Sequence, residues 1–382
     1  MTAADQGAGD RGTSPWAAIT RRSLDEIDGA DPLYRPTNFW QPGLRELLAD
    51  LDEQGLERFK AWPTATYWFY PTYGANLSAE TAEAAVARAI ELQPDARAHE
   101  ARLREGLTGA AEARRDLEVV RLMWDKQRWP FKVMAHGESG IGLPPQHFRL
   151  AGDARGWTKP YLNYLLCLAA LSRHVDRPPR SVLELGGGFG VLGEILLGRS
   201  SKFRYVDLDI PPLLTVASYY LRELVGDHID VYDDSWSGSV GPDRSAVLPS
   251  WRIDDVDGPF DLFVNCFSFQ EMEPHVVANY VAKVAEKDVG WVVSLNSRKG
   301  KPKASDGGIG VVEQVTSARI IELFGAHGYE LVETYGPPYL RSAGELAVLR
   351  STKPPSGGTA PSARRRLRPW RSAKRSGSGR SG

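Results

Sequence analysis

The chain has 382 residues, 42% apolar and 25% charged, with a formal net charge of −1. That length exceeds one ordinary domain and that apolar share allows a sizeable core, which excludes a disordered, collagenous or disulfide-stapled chain. No apolar run approaches a membrane span, residues 1–16 lack an export signal's apolar stretch, and Cys167 and Cys266 show no metal-ligand or Cys-x-x-Cys spacing, so a cytoplasmic protein without a disulfide framework or zinc site is expected.

Residues 1–30 are polar and glycine-rich and read as a flexible arm. Residues 31–75 are dense in aromatics: Tyr34, Phe39, Trp40, Trp62, Tyr67, Trp68, Phe69, Tyr70 and Tyr73. Large rings dominate burial, so most belong in a core, with Trp40 and Tyr70 as candidates to stack on a substrate sugar. Residues 79–128 are rich in Ala, Glu, Arg and Leu and broken by Pro94, which predicts two or three helices. Residues 31–150 are therefore expected to form a mainly helical cap that contacts substrate or a second copy of the chain. Within 133–160, Gly137, Gly140, Gly142, Pro144 and Pro145 mark a long loop suited to act as a lid.

From Tyr161 to His174 a helix carries Leu165, Leu168 and Leu171, and strands and helices then alternate. Strand 182–185, helix 191–197, strand 203–208 and helix 212–224 form the first two units. Either 228–232 or 245–248 supplies the third strand, and 260–265 is the fourth. Pro274 opens a helix with Val277, Tyr280, Val281 and Val284 on one face, and Trp291–Leu295 is the fifth strand. After a helix at about 317–327, Tyr329–Thr334 and Glu345–Leu349 follow with a Gly-Pro-Pro link between them. The pattern predicts an α/β fold over 151–350, a Rossmann-like sheet that is parallel with an antiparallel C-terminal strand. Residues 351–382 hold nine Lys/Arg and no acid and read as a disordered basic tail, which leaves 38 basic against 48 acidic residues, a net −10, in the body. That body argues against an extended nucleic-acid footprint, although the Arg364-Arg365-Arg366 run keeps a tail-borne, non-catalytic role as a third reading.

The chemistry concentrates at strand ends. Val182 to Gly190 reads Val-Leu-Glu-Leu-Gly-Gly-Gly-Phe-Gly, a strand emptying into a glycine loop where a ligand can approach the backbone. Gly186, Gly187, Gly188 and Gly190 are the expected contacts. Glu184, two positions before that run, suits the cationic methionyl end of S-adenosylmethionine and would repel a pyrophosphate. Gly188, Gly190 and Gly193 also satisfy G-x-G-x-x-G, so an NAD-dependent oxidoreductase stands as the second reading. The next strand ends in Asp207-Leu-Asp209-Ile-Pro-Pro, where an acid would hold ribose hydroxyls. Asp209 is favoured over Asp207 for its place just before the Pro-led helix start.

The fourth strand runs into Asn265-Cys-Phe-Ser-Phe-Gln270-Glu271-Met-Glu273-Pro-His275. Methylating an alcohol requires in-line positioning and is helped by a base; Glu271 is the first candidate and His275 the second. Glu271, Glu273 and Asp261 form no recognised ligand motif, so a divalent metal is left open. The Asn-Pro-Pro-aromatic turn of nucleobase amino-methyltransferases is missing here. Gly336-Pro337-Pro338-Tyr339 looks similar but lies between the last two strands, away from the expected methyl position, and reads as a tight turn.

Several separated motifs make the chain resemble the sugar O-methyltransferase family of natural-product and polysaccharide tailoring, within the class I S-adenosylmethionine-dependent superfamily. They are Asn38-Phe39-Trp40, Leu183 to Leu197, Asp207-Leu-Asp-Ile-Pro, Asn265 with Ser268-Phe-Gln-Glu-Met-Glu-Pro, and Ser294-Leu-Asn296. The resemblance spans about residues 34 to 350 and implies methyl transfer to a sugar hydroxyl, on a free, nucleotide-linked or aglycone-attached sugar. It places Gln270, Glu271 and Asn296 around the acceptor; only Glu271 is also reached from the residues themselves.

Overall fold

A computed structural model describes residues 15–353 except 76, 78, 151–152, 199–201, 237, 306–307 and 341–343. The first 14 residues and the basic tail from 354 onward lie outside the described residues. Residues 15–27, expected as part of a loose arm, instead form a helix, α1 (Pro15–Ile27). Its buried face is half polar: Thr20 and Ser23 are covered along with Ile19 and Ile27, and the Thr20 hydroxyl bonds that of Thr215 at 2.8 Å. The apolar positions Trp16, Ile19 and Ile27 fall at helical spacing, so the helix is marked by periodicity although the segment's composition is polar.

The N-terminal half continues through α2 (Trp40–Gln54), α3 (Ala79–Leu92), α4 (Glu100–Thr108) and α5 (Ala110–Met123). The segment expected as a lid is fixed in place. Lys60 donates its amide to Gly142 O at 2.9 Å, the Ser139 amide donates to Glu194 Oε1 at 2.7 Å, and Phe148–Arg149 pairs with Gly156–Trp157. Then α6 (Lys159–Ser172) starts on a Thr158 cap and is buried at nearly every position, as a helix apolar on all sides must be.

The remaining chain winds one eight-stranded sheet: β1 (Ser181–Leu185), β2 (Arg204–Asp209), β3 (Ile229–Val231), β4 (Ser245–Pro249), β5 (Phe260–Cys266), β6 (Val289–Ser297), β7 (Tyr329–Tyr335) and β8 (Gly344–Ser351). The helices between them are α7 (Val191–Leu197), α8 (Leu213–Val225), α9 (Pro274–Glu286) and α10 (Ser317–Ala326). Strand order is β3-β4-β2-β1-β5-β6-β8-β7. Both candidates for the third strand are strands; 245–249 lies against β2 and 229–231 forms the edge.

All neighbours pair in parallel except β8, which runs antiparallel to β6 and to β7. The inserted antiparallel strand separates this sheet from the dinucleotide order, 3-2-1-4-5-6. The fold is the α/β, Rossmann-like sheet that the sequence predicts. Chain order reverses at β1, which has β2 on one side and β5 on the other, so the crevice beyond their carboxyl ends is where such a sheet takes a ligand.

Candidate functional site

A cavity of about 500 Å³ occupies that crevice. Its floor is Gly186–Phe189 after β1, with Asp209 and Ile210 after β2. Cys266–Ser268 and Gln270–Met272 line it after β5, and Ser297 and Lys301 after β6. The N-terminal half contributes Tyr34–Thr37, Trp40 and Tyr67–Phe69, α6 contributes Lys159 and Tyr164, and Tyr339 closes one side.

The glycine loop is shaped by two demands. A Cβ on Gly187 would lie 2.5 Å from the Asp207 carboxylate, so the loop could not sit down on β2 with any larger residue. Gly188 has φ +65°, and a Cβ there would meet nothing within 4 Å, so it would project into open space beside the cavity. Gly188 is thus a cradle that a side chain would fill. Gly190 does not line the cavity; it caps α7 and its missing Cβ makes room for Leu221.

The three acids separate by depth. Asp209 lines the cavity, and its oxygens accept the Gly188 amide at 2.8 Å and the Ile210 amide at 2.7 Å. Burial pushes its carboxyl up to about 7, against the pull of those amides. Asp207 is fully buried beneath the loop, where Oδ1 accepts the Gly187 amide at 3.1 Å and Oδ2 has no partner. Burial raises its pKa well above the ordinary carboxylate range, and the charges of Glu184 and Asp209 raise it further.

Glu184, expected to face the cofactor, does not line the cavity. It is sealed within the sheet: Oε2 accepts the Tyr205 hydroxyl at 2.6 Å and Oε1 has no hydrogen-bond partner. Burial pushes its carboxyl up to about 7. Tyr164, which lines the cavity, lies close enough to Glu184 to hold its pKa down against burial. No local motif marks that tyrosine in the sequence.

The turn after β5 is built from below. Asn265 Nδ2 donates to Leu185 O at 3.1 Å and to Ser268 Oγ at 2.5 Å, while its Oδ1 accepts the Phe269 amide and Asn296 Nδ2. Asn296 Oδ1 accepts the Gln270 amide at 3.2 Å. Both asparagines are fully buried and do not line the cavity, so they support the wall rather than form it. Gln270 lines the cavity, and its side chain accepts the Ser297 amide at 2.7 Å, which ties β5 to β6. Phe267 holds φ +69° at the strand end, a left-handed backbone conformation costly for a bulky residue and typical of functional turns.

Glu271 follows that turn on the cavity wall. Its Oε1 is 2.9 Å from Lys301 Nζ, the nearby Trp40 side chain helps hold its pKa down, and its backbone carbonyl accepts the Thr37 hydroxyl at 2.7 Å. Burial raises its carboxyl pKa, opposed first by the Lys301 charge. His275 is exposed at the start of α9 and does not line the cavity, because the helix start turns it away. Tyr70 is buried outside the site, its hydroxyl 3.3 Å from Glu138 Oε1, so it presents no stacking face. Tyr339 corrects a further expectation: the Gly-Pro-Pro link is a turn, yet it delivers this ring to the cavity.

Among the described residues no group of three or more His, Cys, Asp or Glu side chains is arranged to hold a metal ion. Glu273 Oε1 accepts the Val312 amide and Asp261 Oδ2 accepts the Arg180 and Ser181 amides, so neither converges on Glu271. No described helix is long and apolar enough to cross a membrane.

No family model matches the chain, and no curated protein matches it. Among solved structures it is similar to the pyocyanin biosynthetic protein PhzM, at 18% identity and TM-score 0.34 over 49% of this chain and 57% of that one. It is similar to the mitomycin 7-O-methyltransferase MmcR at 13% identity and TM-score 0.34, over 50% and 58% of the two chains. A third is magnesium protoporphyrin IX methyltransferase (ChlM) from Synechocystis PCC 6803 with bound SAM, at 12% identity and TM-score 0.33, over 46% and 71%. The matched region spans less than two thirds of the length of the first two.

Proposed function

We propose that the protein is an S-adenosylmethionine-dependent O-methyltransferase acting on a hydroxyl of a sugar or glycoside. The observation that carries the reading is one cavity at the carboxyl ends of β1, β2 and β5 with Gly188 and Asp209 on one wall and Glu271 on another. The walls are close enough for the charge of Glu271 to raise the pKa of Asp209. The open space at Gly188 suits a ligand laid against the backbone, and Asp209 keeps lone pairs for ribose hydroxyls after accepting two amides. The antiparallel β8 favours this cofactor over NAD.

S-adenosylmethionine, when bound, supplies an electrophilic methyl group on a sulfonium and leaves as the neutral thioether. The chain's own part is orientation and proton removal. Trp40, Tyr67 and Trp68 offer aromatic faces on the acceptor side, and the Trp68 indole N–H is taken by Glu46 at 2.8 Å. Glu271 accepts the hydroxyl proton as the new C–O bond forms. Glu184 and Asp207 shape the loop from beneath. Residues 31–150 act in this reading as the cap that builds the acceptor wall.

Calorimetric titration with S-adenosylhomocysteine and, separately, NAD tests the cofactor. The homocysteine product should bind the unaltered protein and fail to bind Gly188→Arg, whose side chain enters the cavity. Asp209→Ala should weaken it about 10- to 100-fold, the roughly 1.5–3 kcal/mol of hydrogen bonds to a charged group. Binding of NAD with no response to S-adenosylhomocysteine would overturn the reading.

A further inference from the structure

The loop after β6 carries Arg298-Lys299-Gly300-Lys301-Pro302-Lys303, a run that reads as a solvated basic turn. One of its lysines is held inward. Lys301 lines the cavity, pairs with Glu271 Oε1 at 2.9 Å, and lies 4.5 Å over the Phe39 ring. The loop is tied down at that lysine and beyond it. Asn38 Nδ2 donates to Gly310 O at 2.8 Å, the Val312 amide donates to Glu273 Oε1 at 3.1 Å, and Gln314 Nε2 donates to Lys301 O at 2.7 Å.

We propose that Lys301 is a positioning residue that keeps the Glu271 side chain an aimed carboxylate on the acceptor wall. The inference deepens the reading above and rests on it for Glu271's part in methyl transfer. The physical need is direct. A carboxyl buried on an aromatic wall prefers to be neutral, and a neutral carboxylic acid cannot take a proton. An ammonium at hydrogen-bond distance opposes that preference and pins one carboxylate oxygen: Oε1 is occupied by Lys301. From the N-terminal segment the Trp40 side chain also favours ionisation, and from β2 Asp209 adds a like charge that works against it. Of the cations lining the cavity, Arg35, Lys159 and Lys301, it is Lys301 that pairs with Glu271. Phe39 holds the ammonium from its other side by a cation–π contact.

The test does not depend on catalysis. In the ligand-free protein, carbon-13 NMR titration of the Glu271 carboxyl, assigned by its loss in Glu271→Gln, gives the pKa directly. Lys301→Met should raise it by about one unit or more, the effect of removing an opposite charge at this distance, and Lys301→Arg should return it close to the original value. Lys301 is part-exposed, so the methionine variant is expected to fold. A pKa within about 0.3 unit of the original in Lys301→Met overturns the proposal. The acid limb of kcat/KM for methyl transfer should move by the same amount. A moved titration with an unmoved rate profile retains Lys301 as the partner of Glu271 and removes Glu271 as the base.

Discussion

Glu271→Gln is expected to lower kcat for methyl transfer by about 10²- to 10⁴-fold, the range that a positioned general base contributes. S-adenosylhomocysteine affinity should change little, because the floor of the cofactor side is the glycine loop and Asp209. Glutamine keeps the size of the side chain, and its carbonyl can still accept from Lys301. What it loses is the capacity to take a proton, so the substitution separates positioning from base catalysis. Burial raises the Glu271 pKa and Lys301 lowers it. Activity should therefore rise with pH as this carboxyl ionises, and that limb should vanish in the glutamine variant. A kcat within a factor of about three of the original, measured at saturating cofactor and acceptor, would leave in-line positioning as the whole of the catalysis.

The parts of this site that were legible in the sequence are those whose cause is local. The loop Gly186–Gly190 announces itself because a tight turn and close packing on Asp207 admit no side chain, and Asp209 follows from its place at a strand end before a proline turn. The antiparallel end of the sheet was readable from two short strands joined through Gly-Pro-Pro. What could not be read is pairing across the fold. Glu184 and Asp207 are neighbours in register on β1 and β2, so each is buried against the other, and its position in the chain alone could not show that it sits below the loop. Tyr70 and Trp40 look alike as aromatics in one dense stretch, yet one hydroxyl is drawn into a buried polar cluster and the other ring reaches the cavity. Lys301 is one of several lysines and arginines in a turn, and only its contact with a glutamate 30 residues earlier distinguishes it.

That buried cluster gives the largest expected effect on stability. Lys60 is fully buried, 2.7 Å from Glu138 Oε1 and 3.2 Å from the Tyr220 hydroxyl, and it packs against the Phe189 ring of the glycine loop at 4.9 Å. Glu194 on α7 accepts the Tyr220 hydroxyl at 2.7 Å and the Ser139 amide at 2.7 Å. Lys60→Met leaves the buried Glu138 side chain without its cation and should cost about 3–5 kcal/mol in urea unfolding, whereas adding Glu138→Gln should recover part of the loss. Burial, and then the Glu138 charge, pushes the Glu194 carboxyl up to about 8 from an ordinary 4.5. A carboxyl whose folded pKa lies above its unfolded value binds more protons when folded. Its stabilisation is complete below about 4.5 and is lost as pH rises through about 8. Glu194→Gln, neutral at every pH, should flatten the fall in stability between pH 5 and 8.5, while the share owed to Glu184 and Asp209, both near 7, persists. An unchanged slope in Glu194→Gln would mean that Lys60 already holds Glu194 ionised. The cluster would then be a fixed ion network with no proton to lose, and the glycine loop would rest on a support indifferent to pH.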